Sequence, residues 1–542
     1  MAAVTKKVHT ICSDHPIAFD LFLITVVYTL SHGLMVFNHG VFWDDWVIYN
    51  MDHTLIIDRF KQTGLLWIGY LHIITLSGGV IAYRTATFVC YLLAAWCLYG
   101  VLKELKTDRY SRFFLVIFFA LFPVNSARTA MIIMPYSICY ALFFIGFWLT
   151  SRYQKTHSVW LRIPALVLLF ISFTTNSLLV FYLIVILYIM YMERPENGSF
   201  SDWLRLVPRY ADYLLLPVLF WVIKKTYMKP YGLYADYNKT SVDGFSDVII
   251  GTFRVFETSF LAVIDKSTGH HLLSRIFNKA ASEGLYIPFM GIAIVIFVLF
   301  LCKRYQNKLD RESYETLGLL LLGGFAFWLA AFPYVAVGKS PQLLDWENRH
   351  QLLIPLGASL LLVYGVKLLS RRTVFTLPIY LSLIFIFIHA DMLGHISFQR
   401  DWYKHLSLIE NMRISPAIRN NTSFLFKDET PDLNCNSRST AYYEYTGSMK
   451  EAFKEEGRFG CDMLSFAANT NSIQAYYDKS MNAMYNMKGF IKKEPDTIIT
   501  IKRGVTRLGT LDVLKMMYWE LNDKEKFWHA VPKIVSLEVA PL

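Results

Sequence analysis

The sequence is poor in charged residues: Asp, Glu, Lys and Arg together make up 18% of its 542 residues, whereas hydrophobic residues make up 54%. A soluble protein would carry about a quarter charged residues. The mean hydropathy of +0.36 agrees with this shortage of charge. The composition therefore excludes an ordinary soluble enzyme and predicts an integral membrane protein, with the lipid bilayer as a partner.

Cysteine is scarce as well, and its seven residues lack the spacing of zinc ligands. Five of them lie in or beside apolar runs, where cysteine packs as a small hydrophobic side chain. Cys435 and Cys461 fall in the polar C-terminal part, where a disulfide would require export from the cytoplasm. The pairs His270-His271 and Asp52-His53 are too small to form a metal site by themselves. No zinc centre is therefore predicted.

Apolar runs that are long enough for membrane helices recur along the first 390 residues. A membrane helix needs about 20 mainly apolar residues. Runs that come near this length lie at about 17–37, 80–101, 111–124, 135–151, 160–174, 176–192, 211–224, 285–302, 316–336, 351–370 and 374–390. The fold class that follows is a polytopic α-helical membrane protein with about eleven transmembrane helices.

The loops between these runs are of two alternating kinds. One kind is short and rich in Lys and Arg, and the positive-inside rule places it in the cytoplasm together with the N-terminus. The other kind then faces outward, at 38–79, 225–284, 337–350 and after 390. The formal net charge of +11 is explained by the basic loops and by contact with anionic lipid, so no nucleic acid partner is predicted. The first run lacks the small-residue cleavage site of a signal peptide, so we predict a membrane helix that is not removed.

The outward segments differ in character. Residues 48–76 and Val248 to Ile264 are amphipathic and predict interfacial helices. The tail is polar and has alternating stretches such as Thr497 to Ile501, which are typical of strands. We therefore predict two domains, a transmembrane catalytic domain over 1–390 and a soluble extracytoplasmic α+β domain over 391–542. The expected location is a bacterial inner (plasma) membrane.

An acidic pair follows the first apolar run, in the segment Phe42-Trp43-Asp44-Asp45-Trp46. Trp43 and Trp46 suit the membrane interface, because their rings are apolar and their N–H groups seek water. Carboxylates held in such a place can have a raised pKa or hold a divalent cation. Two other interpretations stay open: a pair of solvated acids in an aromatic belt, and Asp44 as the cap of the next helix.

Cations collect in the outward loops, where the positive-inside rule predicts few of them. An arginine or lysine at a membrane boundary often only extends its charge into water. Several together, opposite an acidic pair, suit an anionic lipid head group whose phosphate must be held. Glu347 and Arg349 could instead pair only with each other, and the Tyr- and Lys-rich segment 224–239 could be an interfacial anchor. The candidate phosphate-binding residues are Arg349, His350, Arg128 and Lys225, and Trp43, Trp46, Tyr231 and Glu347 are candidates for lining the substrate site.

This plan resembles that of the type C (GT-C fold) integral-membrane glycosyltransferases, which use a polyprenyl-phosphate-linked sugar donor and include protein O-mannosyltransferases and aminoarabinose transferases. The likeness covers the whole arrangement of spans, the large first outer loop and the exported C-terminal domain. Locally it is carried by Phe42-Trp43-Asp44-Asp45-Trp46 and more loosely by Glu347-Asn348-Arg349-His350. No signature longer than these two segments matches, so the subfamily is not identified.

The resemblance implies transfer of the sugar to a hydroxyl of a cell-envelope glycan, lipid or protein, with inversion at the anomeric carbon. Asp44 or Asp45 would be the general base, and the other acid would orient the acceptor or bind a divalent cation (Mg or Mn). Arg349, with His350 and Lys225 or Arg128, would hold the donor phosphate.

Other functions fit parts of the sequence. A polysaccharide polymerase would share the many spans and the outward arginines. A flippase or exporter of lipid-linked sugar would also have many spans, but it should carry charged residues within several helices. A sensor module on a membrane anchor would not need eleven spans.

Overall fold

The computed structural model describes residues 15–49, 51–194, 206–235, 245–268, 311–343, 346–369, 373–468 and 494–542. Helices dominate this part of the chain, and a small sheet lies near the C-terminus. The helices before residue 370 are α1 (Pro16–His32), α2 (Asp45–Ile48), α3 (His53–Gln62), α4 (Leu66–Leu76), α5 (Gly79–Glu104), α6 (Arg109–Leu121), α7 (Met134–Thr156), α8 (Val159–Ser172), α9 (Asn176–Phe181), α10 (Leu183–Met192), α11 (Ala211–Tyr227), α12 (Phe245–Val255), α13 (Ala262–Thr268), α14 (Arg311–Val335) and α15 (Ile354–Leu369).

Five helices of the described chain are long and apolar enough to cross a membrane. They are Pro16–Phe37, Gly79–Glu104, Met131–Thr156, Tyr314–Val335 and Val374–Ile414. Five further predicted spans are helical but shorter, and they correspond to α6, α8, α9 with α10, α11 and α15. The predicted span at 285–302 and the pair His270-His271 lie outside the described residues. These apolar helices are consistent with a helical membrane protein, and the count of eleven spans stays a prediction.

The predicted amphipathic segments of the loops are also helical. Residues 48–76 contain α3 and α4, and α3 begins at Asp52, whose carboxylate accepts the N–H of Thr54 at 2.8 Å. This bond explains Asp52 as a helix cap, because it satisfies a backbone donor that the first turn leaves unpaired. The segment after residue 245 is helical from α12 through a π-helical turn, Phe256–Leu261, to α13.

One helix connects the membrane part to the C-terminal domain. Helix α16 (Thr373–Ile414) has 42 residues and runs without interruption past residue 390, so the predicted domain boundary falls within it. A helix of this length extends over about 60 Å, roughly twice the thickness of the hydrocarbon core. The apolar run ends near residue 390, but the helical conformation continues because the second half packs into the C-terminal domain.

The C-terminal domain is α+β, as predicted. Its four strands form one mixed sheet in the order β2-β1-β3-β4, in which β1 is parallel to β2 and β3, and β3 is antiparallel to β4. The strand predicted at Thr497 to Ile501 is confirmed within β3. The elements are α17 (Pro416–Arg419), β1 (Ser423–Asp428), α18 (Tyr442–Phe453), β2 (Phe459–Asp462), α19 (Met463–Ala468), β3 (Thr497–Arg503), α20 (Thr510–Asn522), α21 (Lys524–Ala530) and β4 (Val535–Pro541).

Two hydrophobic cores hold the described chain together. The first joins the apolar helices to one another. The second contains the inner face of the sheet, such as Phe424 and Ile499, and the second half of α16, such as Trp402. Residues Phe42 and Trp46 of the first loop belong to the second core as well. The acidic segment is therefore packed against the C-terminal domain and cannot be a freely solvated loop.

Candidate active site

Three segments that are far apart in sequence meet around the acidic pair. We call this region the junction, and it consists of residues 38–49 of the first loop, 346–351 before α15 and 438–447 of the C-terminal domain. Trp43 stacks on Trp346, with ring centroids 4.9 Å apart. The Arg438 guanidinium lies 5.0 Å from the Trp43 ring, and that of Arg349 lies 4.4 Å from the Trp346 ring. Aromatic stacking and cation–π contacts thus join all three segments.

The backbone of Trp43 is strained. Its φ of 48° lies in the left-handed region, which a bulky side chain rarely adopts. The strained conformation is held by its surroundings: the ring is 4% exposed, and the Trp43 N–H donates to the Glu444 carboxylate at 3.1 Å. Strain of this kind costs about 1–3 kcal/mol and is concentrated at functional sites. Here it sets the direction in which the next residue, Asp44, leaves the loop.

Asp45 is fully buried and has a structural environment. Its two carboxylate oxygens accept the backbone N–H groups of Ile132 at 2.8 Å and of Phe42 at 3.2 Å. Burial raises the pKa of Asp45 to about 6, against the opposing effect of the Arg84 charge. Arg84 in turn donates to the carbonyl oxygen of Gly40 at 2.6 Å. The contacts of Asp45 therefore fix the shape of the first loop.

Asp44 has a different environment, although it is the adjacent residue. It stands at the N-cap of α2, yet its side chain makes no capping hydrogen bond. Asp44 as a residue is half-buried, whereas Asp45 is fully buried, and the Asp44 carboxylate accepts a hydrogen bond from Tyr443. Burial raises the pKa of Asp44 above its ordinary value, and the nearby charge of Arg349 opposes that rise. A carboxylate with a raised pKa, close to a cation, suits proton transfer.

The segment before α15 is anchored by two side-chain amides, neither of which was predicted as a site residue. The Asn348 side chain accepts the N–H of Ala127 at 2.6 Å, and the Gln351 side chain accepts the N–H of Asn125 at 3.1 Å. Both bonds join this segment to the loop before α7. Arg349, which lies between the two anchors, is thereby placed beside the first loop.

Glu347 and His350 lie on the same 3-10 turn as Arg349. The Glu347 carboxylate is 2.8 Å from Nδ1 of His350 and 3.6 Å from the Arg349 guanidinium. Burial lowers the pKa of His350, and the hydrogen bond from His350 lowers the pKa of Glu347. The Glu347 carboxylate therefore has two partners, His350 and Arg349. Because the neutral form of His350 is favoured, Arg349 is the better candidate for a phosphate.

Buried ion pairs tie the C-terminal domain to the junction. The Arg438 guanidinium donates to Asp401 of α16 at 2.8 Å and to Glu444 at 2.6 Å, and all three side chains are inaccessible to solvent. Burial lowers the pKa of Arg438, but the two carboxylates outweigh burial and hold it well above its usual value. The same Glu444 accepts the Trp43 N–H. This network sets the position of the C-terminal domain relative to the acidic pair.

Arg128, predicted as a phosphate-binding residue, lies at a different site from Arg349. Its guanidinium donates to the carbonyl oxygens of Val124 and Asn125 and lies 4.8 Å from the Tyr91 ring. Its charge acts on a buried group of side chains on α1 and α16, which we call the histidine cluster: Ser31, His32, Asp391 and His395, together with Arg128 itself.

The histidine cluster is a second polar site within the apolar helices. Nδ1 of His32 lies 3.1 Å from Nε2 of His395, and Nε2 of His32 lies 3.4 Å from the Asp391 carboxylate. Ser31 donates to the same carboxylate at 2.7 Å. Sequence reasoning missed this site, because Asp391 and His395 lie just beyond the last apolar run. The spacing of these two residues, one helical turn apart, was the available signal.

Lys225 and Tyr231 belong to neither site by the contacts that they make. The Lys225 ammonium lies 4.9 Å from the Trp221 ring, one turn earlier on α11. The Tyr231 N–H donates to the carbonyl oxygen of Gln62, at the end of α3, and its side chain is exposed. These contacts agree with an interfacial anchor.

The junction does not fit the divalent cation that the resemblance implied. Asp45 directs its oxygens to backbone N–H groups, which leaves Asp44 as a single carboxylate. Within the described ranges, no three His, Cys, Asp or Glu side chains are grouped closely enough to hold a metal ion. Cys435 and Cys461 are both buried, and no disulfide joins them.

Three residues of the junction were not predicted as site residues: Tyr443, Arg438 and Glu444. They lie in the polar tail, where no local pattern indicates that they approach residue 44. No protein-family model matches this sequence, and no curated protein matches it either.

Proposed function

We propose that this protein is a membrane glycosyltransferase, which moves a sugar from a polyprenyl-phosphate donor to a hydroxyl group of a cell-envelope glycan, lipid or protein. The observation that carries the proposal is Asp44: a carboxylate with a raised pKa, beside Arg349, where the apolar helices meet the C-terminal domain. The remaining predicted spans, an N-terminus in the cytoplasm, an extracytoplasmic C-terminal domain and a bacterial inner membrane are parts of this proposal.

The proposed reaction is a single displacement. The acceptor oxygen attacks the anomeric carbon, and the bond from that carbon to the phosphate oxygen breaks with its electron pair. The hydroxyl proton passes to Asp44, and polyprenyl phosphate leaves. Attack from the side opposite the phosphate inverts the anomeric centre. A base within hydrogen-bond reach contributes about 10²- to 10⁴-fold to such a step.

Asp44 and Asp45 have separate roles in this mechanism. Asp44 is the proposed base because its oxygens are not taken up by backbone N–H groups in the way those of Asp45 are, and because its raised pKa increases its basicity. Asp45 holds the loop through Phe42 and Ile132 and is a positioning residue. Arg349 is the proposed phosphate-binding residue, since its charge already acts on Asp44 and would stabilise the leaving phosphate. No step is routed through a metal ion.

The test is sugar transfer by the full-length protein in liposomes, from a radiolabelled polyprenyl-phosphate sugar to cell-envelope acceptors. Asp44→Asn should lower the rate by at least about 100-fold while donor binding is retained. Asp58→Asn is the matched control, because Asp58 is an exposed acid of the same loop. If Asp44→Asn transfers as fast as the control, Asp44 is not the base.

A polymerase would use the same donor and base, and products longer than one added unit would identify it. A lipid-linked sugar flippase is a second candidate, which the histidine cluster favours: buried ionisable side chains inside apolar helices are typical of transport paths. Movement of a fluorescent lipid-linked sugar across proteoliposomes, lost in Asp391→Asn and kept in Asp44→Asn, would support the flippase against the transferase.

A further inference from the structure

A cleft lies directly beside the junction, between the first loop and the C-terminal domain. Its volume is about 140 Å³, below the roughly 300–1,000 Å³ of most small-molecule sites, so it can enclose only one end of a larger ligand. One wall is formed by residues of the first loop from Trp46 to Leu55, and the other by α18 and the turn that precedes β2. Clefts between domains are common ligand sites.

Tyr443 connects the cleft to the proposed base. Its side chain lines the cleft and also donates a hydrogen bond to Asp44. Trp46, which forms the adjoining part of the wall, is two residues from Asp44 in the same turn. A ligand held against these two side chains would therefore place its end next to the Asp44 carboxylate.

The walls suit a ligand with many hydroxyl groups. The partly buried rings of Tyr49 and Tyr443 offer flat apolar faces with polar edges, and only the margin of the buried Trp46 side chain adjoins them. Between them, Lys450 and Glu456 form a partly exposed ion pair of 2.7 Å and supply both hydrogen-bond donors and acceptors. Asp52 and Arg458 add further charge to the walls. A lipid tail would require mainly apolar walls, so a saccharide is the better match.

The width of the cleft is set by close packing at its base. A Cβ atom on Gly447 would lie 2.6 Å from the Trp46 ring, so only glycine lets α18 approach the first loop this closely. The same contact holds Trp46 and its neighbour Asp44 in place. The cleft and the base are thus positioned by one packing arrangement.

We propose that this cleft binds the acceptor as a saccharide and presents one of its hydroxyl groups to Asp44 past Tyr443. The role as acceptor site rests on the proposed function, whereas the binding of a saccharide does not. The acceptor class is thereby narrowed to a carbohydrate, in preference to a bare lipid or a protein.

Binding is tested with the full-length protein in nanodiscs on an array of bacterial cell-envelope oligosaccharides. The wild type should retain at least one saccharide class, and the double variant Lys450→Ala/Glu456→Ala should bind it at least tenfold more weakly. The matched control is Glu451→Ala/Lys454→Ala, which removes an ion pair on the same helix that lies outside the cleft. Retention of no oligosaccharide by the wild type, or equal loss in both double variants, overturns the proposal.

A second measurement separates this proposal from the proposed function. In the transfer assay, the cleft variant should raise the acceptor KM about tenfold and leave hydrolysis of the donor, measured without acceptor, unchanged. Sugar transfer with an unaltered acceptor KM would contradict the cleft as the acceptor site and would still support the transferase activity. Saccharide binding without any sugar transfer would contradict the transferase activity and would still support the cleft as a saccharide-binding site.

Discussion

The junction and the histidine cluster both bury charged side chains, but they differ in access. In the histidine cluster, His32, Asp391 and His395 are all at least nine-tenths buried and contact mainly one another. In the junction, Asp45, Arg438 and Glu444 are equally buried, whereas Asp44 is half-buried. Chemistry on a substrate requires contact with it, so this difference in burial favours the junction over the histidine cluster as the place of the proposed base.

The comparison also shows how the junction holds its reactive group. Buried ions are stable only when each has a partner, and the partners of Arg438 and Asp45 are all within the protein. Asp44 differs from them, since it accepts a hydrogen bond from Tyr443 and is acted on by the charge of Arg349. Five predictions test this division, in order from the largest expected effect to the smallest.

Arg438→Met should cause the largest loss of stability. It leaves the carboxylates of Asp401 and Glu444 buried without their cation, which costs about 3–5 kcal/mol of unfolding free energy. The measurement is the unfolding midpoint in detergent. The control is Arg503→Met, which breaks an exposed ion pair with Asp432 and should cost less than about 1 kcal/mol. Equal losses in the two variants would mean that the buried network does not hold the junction.

Asp45→Ala should destabilise the protein more than Asp44→Ala. The first variant leaves the N–H groups of Phe42 and Ile132 unpaired in the core, at about 1–3 kcal/mol each. The second variant removes one hydrogen bond, from Tyr443, and should cost about 1–3 kcal/mol in total, because Asp44 makes no capping bond. The same unfolding measurement compares them, and the reverse order would exchange the structural and reactive roles of the two acids.

Asp45 also predicts a pH dependence of stability. Its pKa of about 6 in the folded protein lies above the value of about 4 expected in the unfolded chain. The folded state therefore binds more protons between these values, so the contribution of Asp45 is present below about pH 4 and is lost as pH rises through about 6. Asp45→Ala should lack this decline. An unchanged pH profile in Asp45→Ala would show that another group causes it.

Arg349→Ala should shift the pH dependence of sugar transfer. Arg349 lowers the pKa of Asp44, so its removal raises that pKa and moves the acidic limb of the rate profile to higher pH. Arg349→Lys keeps the charge and should keep the limb in place while weakening donor binding. If the acidic limb lies at the same pH in both variants, the charge of Arg349 does not act on Asp44.

Lys225→Ala should have the smallest effect, with transfer within about twofold of the wild type. Its ammonium group contacts Trp221, and none of the contacts described for the junction involves it. A loss of donor binding as large as that of Arg349→Ala would show that Lys225 takes part in binding the phosphate.

Local patterns in the sequence were sufficient for several features. Apolar runs predicted the membrane helices, since a span must be apolar over its whole length. Alternation at Thr497 to Ile501 predicted β3, and the acidic pair between tryptophans marked the first loop. Helix α16 was cut short at 390 because hydropathy detects the lipid-facing part of a helix, whereas its second half is amphipathic and buries one face against the sheet.

By itself, the sequence determined that this is a helical membrane protein with an α+β C-terminal domain, and that residues 42–46 are unusual. Only the tertiary structure decided that Asp45 is bound by backbone donors and that Asp44 is bound by the Tyr443 side chain. It also decided that Arg349, Arg438 and Tyr443 meet at that place, and that Arg128 belongs to the histidine cluster. The physical reason is that accessibility and pKa depend on contacts between residues up to 400 positions apart, such as Trp43 with Glu444, which no local pattern encodes.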